Sequence, residues 1–415
     1  MDMKTNPPML NWPDRADGFA VPYAVFSDPA LHAREQARIF GGETWSFVGL
    51  EAEVPAPGDF KATAIGAHPV ILVRDREGQL RVLENRCAHR GALVCREPRG
   101  RVTRLSCVYH QWNYDLTGRL LGVPFRQGAN GKGGMPAAFD PACHGLRALR
   151  VTALHGLVFA TFSDTVEPLA DYLGSMVVDS IARICNRELR LLGDQQQYMH
   201  GNWKLYAENT RDPYHASLLH LFHNTFGLYR STQTGACVMD GAHRHTMLYT
   251  KANTSNADTD REVYRDVRSY DSSFKLADPS LLAGRAEFTD GITLVILSVF
   301  PNLVLQQIAN TLAVRQIVTH GPEAFELVWT HFGYADDDAE MQRIRLVQSN
   351  LIGPAGLISM EDGEAVEIVQ RAVRESQAHA SYIAMGGGHA EDADHLVTEG
   401  AIIGFWEHYR AVMAL

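Results

Sequence analysis

Apolar positions along the chain recur with two periods, and the change from one to the other divides it. Pro29 to Phe40 carries a helical pattern, but the apolar runs that follow are short and broken by turn residues. Pro69 to Arg74, then Asp75-Arg76-Glu77-Gly78, then Gln79 to Leu83 predict a β-hairpin. Trp112 to Leu120 around Thr117-Gly118, and Leu157 to Phe162, read the same way, so residues 43–163 are expected to form a small all-β domain. After Asp164 the pattern turns helical, with apolar residues at three and four spacing through Asn202 to Phe226. Ile292 to Phe300, Leu303 to Ile308, Thr311 to Thr319 and Phe325 to Phe332 are β-branched or aromatic runs separated by Pro301-Asn302, Asn310 and Gly321-Pro322, and they predict consecutive antiparallel strands. Asp336 to Asp338 place acidic charge at the start of a helix reaching Asn350, Gly353-Pro354-Ala355-Gly356 stops it, and Ser359 to Arg374 and Thr398 to Met413 predict two more. The expected fold class is α+β: the all-β domain, and a second domain from residues 1–42 and 164–415 with an antiparallel sheet flanked by helices.

Composition narrows the function classes. With 415 residues, 46% of them apolar, the chain can bury one large core or two modest ones, and two domains are expected. The 38 Lys and Arg are outnumbered by 48 Asp and Glu, a formal net charge of -10, and no basic stripe is present, which argues against nucleic acid as a partner. No apolar run approaches the roughly 20 residues that cross a bilayer, and Met1 to Asp17 lacks the apolar core of a secretory signal. A soluble cytoplasmic protein without membrane association is therefore expected. Arg126 to Gly134 is Gly-rich enough for a mobile surface loop. Six cysteines without a signal peptide argue against a disulfide framework and for metal binding.

The first chemical constellation lies in the β-rich segment. Cys87-Ala88-His89-Arg90-Gly91 and Cys107-Val108-Tyr109-His110-Gln111-Trp112 form a C-x-H pair and a C-x2-H pair, with seventeen residues between His89 and Cys107. Each pair fits the tip of one loop, so two loops from adjacent hairpins would gather two thiolates and two imidazoles. That donor set suits a [2Fe-2S] cluster whose thiolates hold one iron and imidazoles the other. A structural zinc is the alternative, although zinc motifs usually pair Cys with Cys and His with His. Cys95, Cys143, Cys185 and Cys237 have no ligand partner nearby in the sequence and read as ordinary core or surface residues.

The second constellation crowds Glu208, Asn209, Asp212, His215 and His220 into thirteen residues of an otherwise apolar helical stretch. Polar groups so dense are costly to bury unless they bind something. His215 and His220 are five apart, which a regular helix does not align, so the turn between them needs a π-like widening or a break. Two imidazoles and a carboxylate suit a ferrous ion with open positions. Spacing leaves the third ligand open among Glu361, Asp362, Glu364 and Glu367. The bland reading makes His220 and His223 helix-face histidines and Asp212 a helix cap before Pro213. Arg315 interrupts the uncharged strand Thr311 to Val318; it is a candidate cation for a carboxylate substrate, or an arginine facing outward.

Both cysteine loops, with Arg90-Gly91 and Tyr109, resemble those of Rieske ring-hydroxylating oxygenases, and the likeness extends from Val21-Pro22-Tyr23 to Phe405-Trp406. Gly122-Val123-Pro124-Phe125, Gly134-Met135-Pro136 and Gly353 to Asp362 make the chain most similar to the large subunits acting on aromatic acids, the anthranilate, terephthalate and salicylate oxygenases. The resemblance implies an enzyme, a terminal oxygenase large subunit that inserts oxygen from O2 into the ring of a benzoate-type acid by cis-dihydroxylation. Monohydroxylation and oxidative demethylation are the alternatives, and a pure Rieske electron carrier would need only the first third of the chain. It implies a Rieske cluster at Cys87, His89, Cys107 and His110, and it picks Asp362 as the third ligand of a mononuclear Fe(II) beside His215 and His220. It assigns Asp212 to bridging His215 of one subunit to His110 of the next. Its implied partners are a reductase, with or without a ferredoxin, and a small beta subunit in an α3β3 hexamer, a bare α3 trimer being the alternative. One departure is Ile403, where relatives often carry arginine; if that position reaches the pocket, this favours a monocarboxylate over terephthalate.

Overall fold

The hairpin predicted around Asp75 forms because that aspartate closes its turn: Oδ1 accepts from the backbone N–H of Glu77 and Gln79. His68–Arg74 and Leu80–Glu84 pair antiparallel, Val70 opposite Glu84 and Arg74 opposite Leu80. The computed structural model describes residues 10, 12–13, 15–252 and 254–415. The expectation for residues 1–9 lies outside the described residues. Two compact units emerge, Phe40–Leu169, and Met1–Ile39 with Ala170–Leu415.

Among the described residues, the smaller unit holds a seven-stranded sheet in the order Ser46–Leu50, Leu157–Thr161, Ala148–Leu154, Leu80–Glu84, His68–Arg74, Asp59–Ile65, Arg99–Arg101. A three-stranded sheet, Leu105–Ser106, Asn113–Tyr114 and Leu120–Gly122, carries the second cysteine loop. Cys87 and Cys107 sit in the core with Phe60, Ile71, Leu83, Trp112 and Tyr114.

The larger unit is built on a second seven-stranded antiparallel sheet among the described residues: Leu189–Met199, Phe325–Tyr334, Thr311–Thr319, Leu303–Ile308, Leu294–Val299, His245–Lys251, Thr234–Met239. Every residue of Thr311–Thr319 is buried, so both faces of the strand are covered, and Arg315 is the charge that interrupts it. Three of these strands, Leu189–Met199, Thr234–Met239 and His245–Lys251, were not anticipated from the pattern. Helices Ala339–Ile352, Leu357–Val373 and Gly400–Met413 form close to the predicted ranges. The stretch Asn202 to Phe226 is three short helices, Trp203–Asn209, Pro213–Leu219 and Leu221–Phe226. The break that five-residue spacing requires falls on His220, whose backbone is extended (φ -90, ψ 107).

Candidate metal centres

The two cysteine loops adopt one hydrogen-bonded turn twice. Cys87 N–H donates to Ala92 O and Gly91 N–H to Cys87 O; likewise Cys107 N–H donates to Trp112 O and Gln111 N–H to Cys107 O. The fifth residue of each turn is left-handed, Gly91 at φ 75 and Gln111 at φ 58, so the second loop supports strain that glycine spares the first. The turns bring His89 and His110 together, ring centroids 4.5 Å apart, and His89 stacks on Trp112 at 4.8 Å. Tyr114 Oη lies 3.2 Å from Cys87 Sγ and accepts from Ala88 N–H. The two imidazoles therefore meet at the loop tips, and the two cysteines share one core cluster behind them. Two thiols and two imidazoles on paired loops are a donor set that suits a two-iron cluster with thiolates on one iron and imidazoles on the other.

In the larger unit His215, His220 and Asp362 form a compact group, with donor atoms within 4.8 Å of one another. Asp362 Oδ1 lies 3.3 Å from His215 Nε2 and 3.2 Å from His220 Nε2. The outer nitrogens are held by other carboxylates: His215 Nδ1 faces Asp212 Oδ2 at 3.3 Å, and His220 Nδ1 pairs with Glu361 Oε2 at 2.8 Å. Burial works against a charged His215, but Asp212 and Asp362 outweigh it and raise it to about 10. Burial likewise opposes charge on Asp362, and the two imidazoles overcome it to hold the carboxyl well below its ordinary value. The trio is thus a pocket of negative potential suited to a divalent cation, with carboxylates orienting the imidazoles from behind. Asn209 Nδ2 donates to Asp362 Oδ1 at 2.9 Å. Glu361, one residue from Asp362, reaches only the back of His220; Glu367 accepts from His200 N–H, and Glu364 is exposed.

Asp212 caps the helix Pro213–Leu219, Oδ1 accepting from Tyr214 and His215 N–H, while Oδ2 faces the His215 ring. The cap reading therefore holds, and the same carboxylate also faces the His215 ring. Beside it Glu208 accepts from Trp406 Nε1 at 2.6 Å. Burial, reinforced by Asp212, raises its carboxyl to about 8; the sequence placed Glu208 in the polar cluster but gave it no role. Cys95, Cys185 and Cys237 are pushed up to about 12 by burial and Cys143 is exposed, as ordinary cysteines are.

A cavity opens on the trio, walled by Leu248, Leu294, Ile296, Ile308 and Ile358, and both Arg315 and His223 line it. Arg315 is buried, not outward-facing. Its Nη1 donates to Tyr206 Oη at 2.8 Å, Nη2 contacts Gln306 Oε1, its guanidinium lies 4.3 Å over Trp329, and Nε has no partner. A larger cavity in the all-β unit, lined by Arg96, Arg101 and Arg104, lacks a compact donor group and is not where the chemistry sits.

An all-β unit with twin Cys-His loops and an α+β unit with a two-histidine, one-carboxylate trio define an oxidoreductase of two iron centres. Comparison with known proteins agrees. The Rieske [2Fe-2S] domain family matches residues 44–138, and the ring hydroxylating alpha subunit (catalytic domain) family matches residues 187–415. The chain is 50% identical to the anthranilate 1,2-dioxygenase large subunit of Burkholderia cepacia, over 96% of this chain and 94% of that one. It is 45% identical to the terephthalate 1,2-dioxygenase terminal oxygenase component subunit alpha 2 of Comamonas sp, over 95% of each. Salicylate 5-hydroxylase large oxygenase component of Ralstonia sp is 43% identical over 97% of this chain and 96% of that one. In fold it resembles naphthalene 1,2-dioxygenase from Rhodococcus sp., with a TM-score of 0.78 at 23% identity over 95% and 94% of the two chains. The chain belongs to the family of ring-hydroxylating oxygenase alpha subunits, and its cofactors are a Rieske [2Fe-2S] cluster and a mononuclear non-haem iron. No helix among the described residues is long and apolar enough to cross a membrane.

Proposed function

We propose that this alpha subunit cis-dihydroxylates the ring of an aromatic carboxylic acid of the benzoate type. The observation that carries the substrate class is Arg315, a buried cation with no carboxylate partner among the described residues, in the same cavity as the trio. Relatives named for anthranilate, terephthalate and salicylate, all aromatic acids, support it; Ile403 does not line this cavity and does not bear on the number of carboxylates.

In this reading residues 43–163 are the Rieske domain, and residues 1–42 and 164–415 the catalytic domain. Cys87 and Cys107 would hold one iron of the cluster and His89 and His110 the other; His215, His220 and Asp362 would hold the mononuclear iron. When bound, the cluster supplies electrons one at a time and the ferrous ion supplies O2 activation. The chain's own side chains do the positioning. Tyr206 and Gln306 fix the Arg315 guanidinium, which takes the substrate carboxylate in a charge-assisted pair. The aliphatic wall holds the ring over the trio and excludes water. Asp212 and Glu361 lock the two imidazoles by their Nδ1 atoms, leaving Nε2 to face the metal position. Asp212 also serves as the bridge from His215 to His110 of a neighbouring copy, which calls for an α3 trimer or an α3β3 hexamer with a small beta subunit. A cytoplasmic reductase, with or without a ferredoxin, feeds the cluster.

A second reading, ring monohydroxylation, is favoured by the 43% identity to a salicylate 5-hydroxylase. Product mass spectrometry with labelled O2, a surrogate reductase, and benzoate, salicylate, anthranilate and the phthalates separates the two. Two labelled atoms in the product mean dihydroxylation and one means monohydroxylation. No product from any acid, with both centres filled, refutes the substrate class.

A further inference from the structure

Apart from His215, whose Nδ1 faces Asp212, two side chains lining the cavity carry buried hydrogen-bonding atoms with no partner, and Arg315 accounts for one. The other is His223, on the helix Leu221–Phe226. Its side chain is 5% exposed, and neither Nδ1 nor Nε2 has a hydrogen-bond partner. The surroundings cannot supply one. The ring packs edge-on against His220 at 4.9 Å and tilts against Tyr229 at 5.9 Å, and the Tyr229 hydroxyl is already given to Pro213 O at 2.7 Å. The cavity wall also holds the aliphatic Leu248, Leu294, Ile296, Ile308 and Ile358, and none of the polar residues lining the cavity hydrogen-bonds the His223 ring. Nor does His223 belong to the metal trio, whose mutually close donor atoms come from His215, His220 and Asp362.

A buried imidazole with both nitrogens unpaired is disfavoured by more than a hydrogen bond is worth, unless something entering the cavity completes it. A neutral imidazole offers one donor and one acceptor. The cavity therefore presents a cation, an uncharged hydrogen-bonding ring and a flat apolar wall. We propose that His223 hydrogen-bonds an amino or hydroxyl substituent on the ring of the bound acid, so that the site selects amino- and hydroxybenzoates over benzoates lacking such a group. This rests on the aromatic-acid reading above and deepens it. An N–H or O–H on the ring gives its proton to the open imidazole nitrogen, while the carboxylate goes to Arg315; a methyl group of similar size can do neither job for His223.

The test is anaerobic binding by calorimetry to the iron-loaded enzyme, with 2-, 3- and 4-aminobenzoate, the hydroxybenzoates, and the methylbenzoates as size-matched controls. At one position of the ring, the wild type should bind the amino or hydroxy acid about tenfold tighter than the methyl acid, the factor one net hydrogen bond supplies. His223→Leu should bring that ratio below about threefold, and His223→Asn, which keeps a donor and an acceptor, should restore part of it. The same ratio in His223→Leu as in the wild type, or no preference at any ring position, overturns the proposal while leaving Arg315 and the benzoate class intact. Failure of the wild type to bind any benzoate overturns both. Loss of the mononuclear iron from both variants, read by metal analysis, would make His223 a support for His220 and overturn it as well.

Discussion

The helix that carries Asn209 to the trio is held by a buried ion pair, and breaking it gives a quantitative forecast. Lys204 Nζ lies 2.6 Å from Glu35 Oε1, with both side chains almost fully buried. Trp203 Nε1 and the Tyr409 hydroxyl donate to the same carboxylate at 2.9 and 2.6 Å. Burial alone would raise Glu35, but Lys204 outweighs it and holds the carboxyl at about 2. Since that lies below its ordinary 4.5, the pair's contribution is full above pH 4.5 and fades as pH falls toward 2. Lys204→Met reverses the sign. An unpaired buried carboxylate costs about 3–5 kcal/mol, and Glu35 limits the loss by taking a proton. At about 1.36 kcal/mol per pH unit, protonation costs about 4 kcal/mol at pH 7.5 and below about 1 at pH 5. In the variant the folded-state value rises above 4.5, so stability is retained below 4.5 and lost as pH climbs. Urea midpoints at pH 5.0 and 7.5 should therefore separate wild type and variant far more at the higher pH, and adding Glu35→Gln should recover most of the loss. A deficit equal at both pH values, or below about 1 kcal/mol at pH 7.5, would refute the account.

Arg315→Met should weaken benzoate binding by roughly 10- to 150-fold, the worth of a charge-assisted hydrogen bond of about 1.5–3 kcal/mol; calorimetry should show a smaller loss for neutral benzamide, and equal losses would remove the anion-binding role. Asp212→Asn should retain three irons per chain by metal analysis yet lose turnover; product formation at the wild-type rate would eliminate the bridge. His245 is buried and neutral, Nδ1 accepting from Phe300 N–H at 3.1 Å and Nε2 donating to Tyr172 O at 3.0 Å, and burial lowers it to about 4. A value depressed below 6.5 means that stability is full above pH 6.5 and drains as pH falls toward 4, by up to about 3 kcal/mol. A urea midpoint that stays fixed between pH 7 and 4.5 would contradict this.

Strands whose two faces are covered announce themselves, which is why the four runs from Ile292 to Phe332 could be read directly. The edge strand Leu189–Met199 could not, because Gln195-Gln196-Gln197 replaces the apolar alternation where one face meets solvent. The Cys-His loops were legible from spacing, but not their shared turn, since nothing about Gln111 signals a left-handed backbone. The choice of Asp362 over Glu361 was beyond spacing for a physical reason: both carboxylates reach histidine rings, one at Nε2 and the other at Nδ1. His223 looked like any helix-face histidine, because unmet hydrogen-bonding capacity is a property of surroundings and not of sequence.

The order of strands in the larger sheet also dictates when the site can exist. Leu189–Met199 finds its neighbour only in Phe325–Tyr334, so on a ribosome making about 5–20 residues per second its edge waits roughly 6–25 s for a partner. Asp362 emerges later still. A nascent chain thus displays both histidines before it owns a carboxylate to complete the trio, and iron delivered during synthesis meets an unfinished cup.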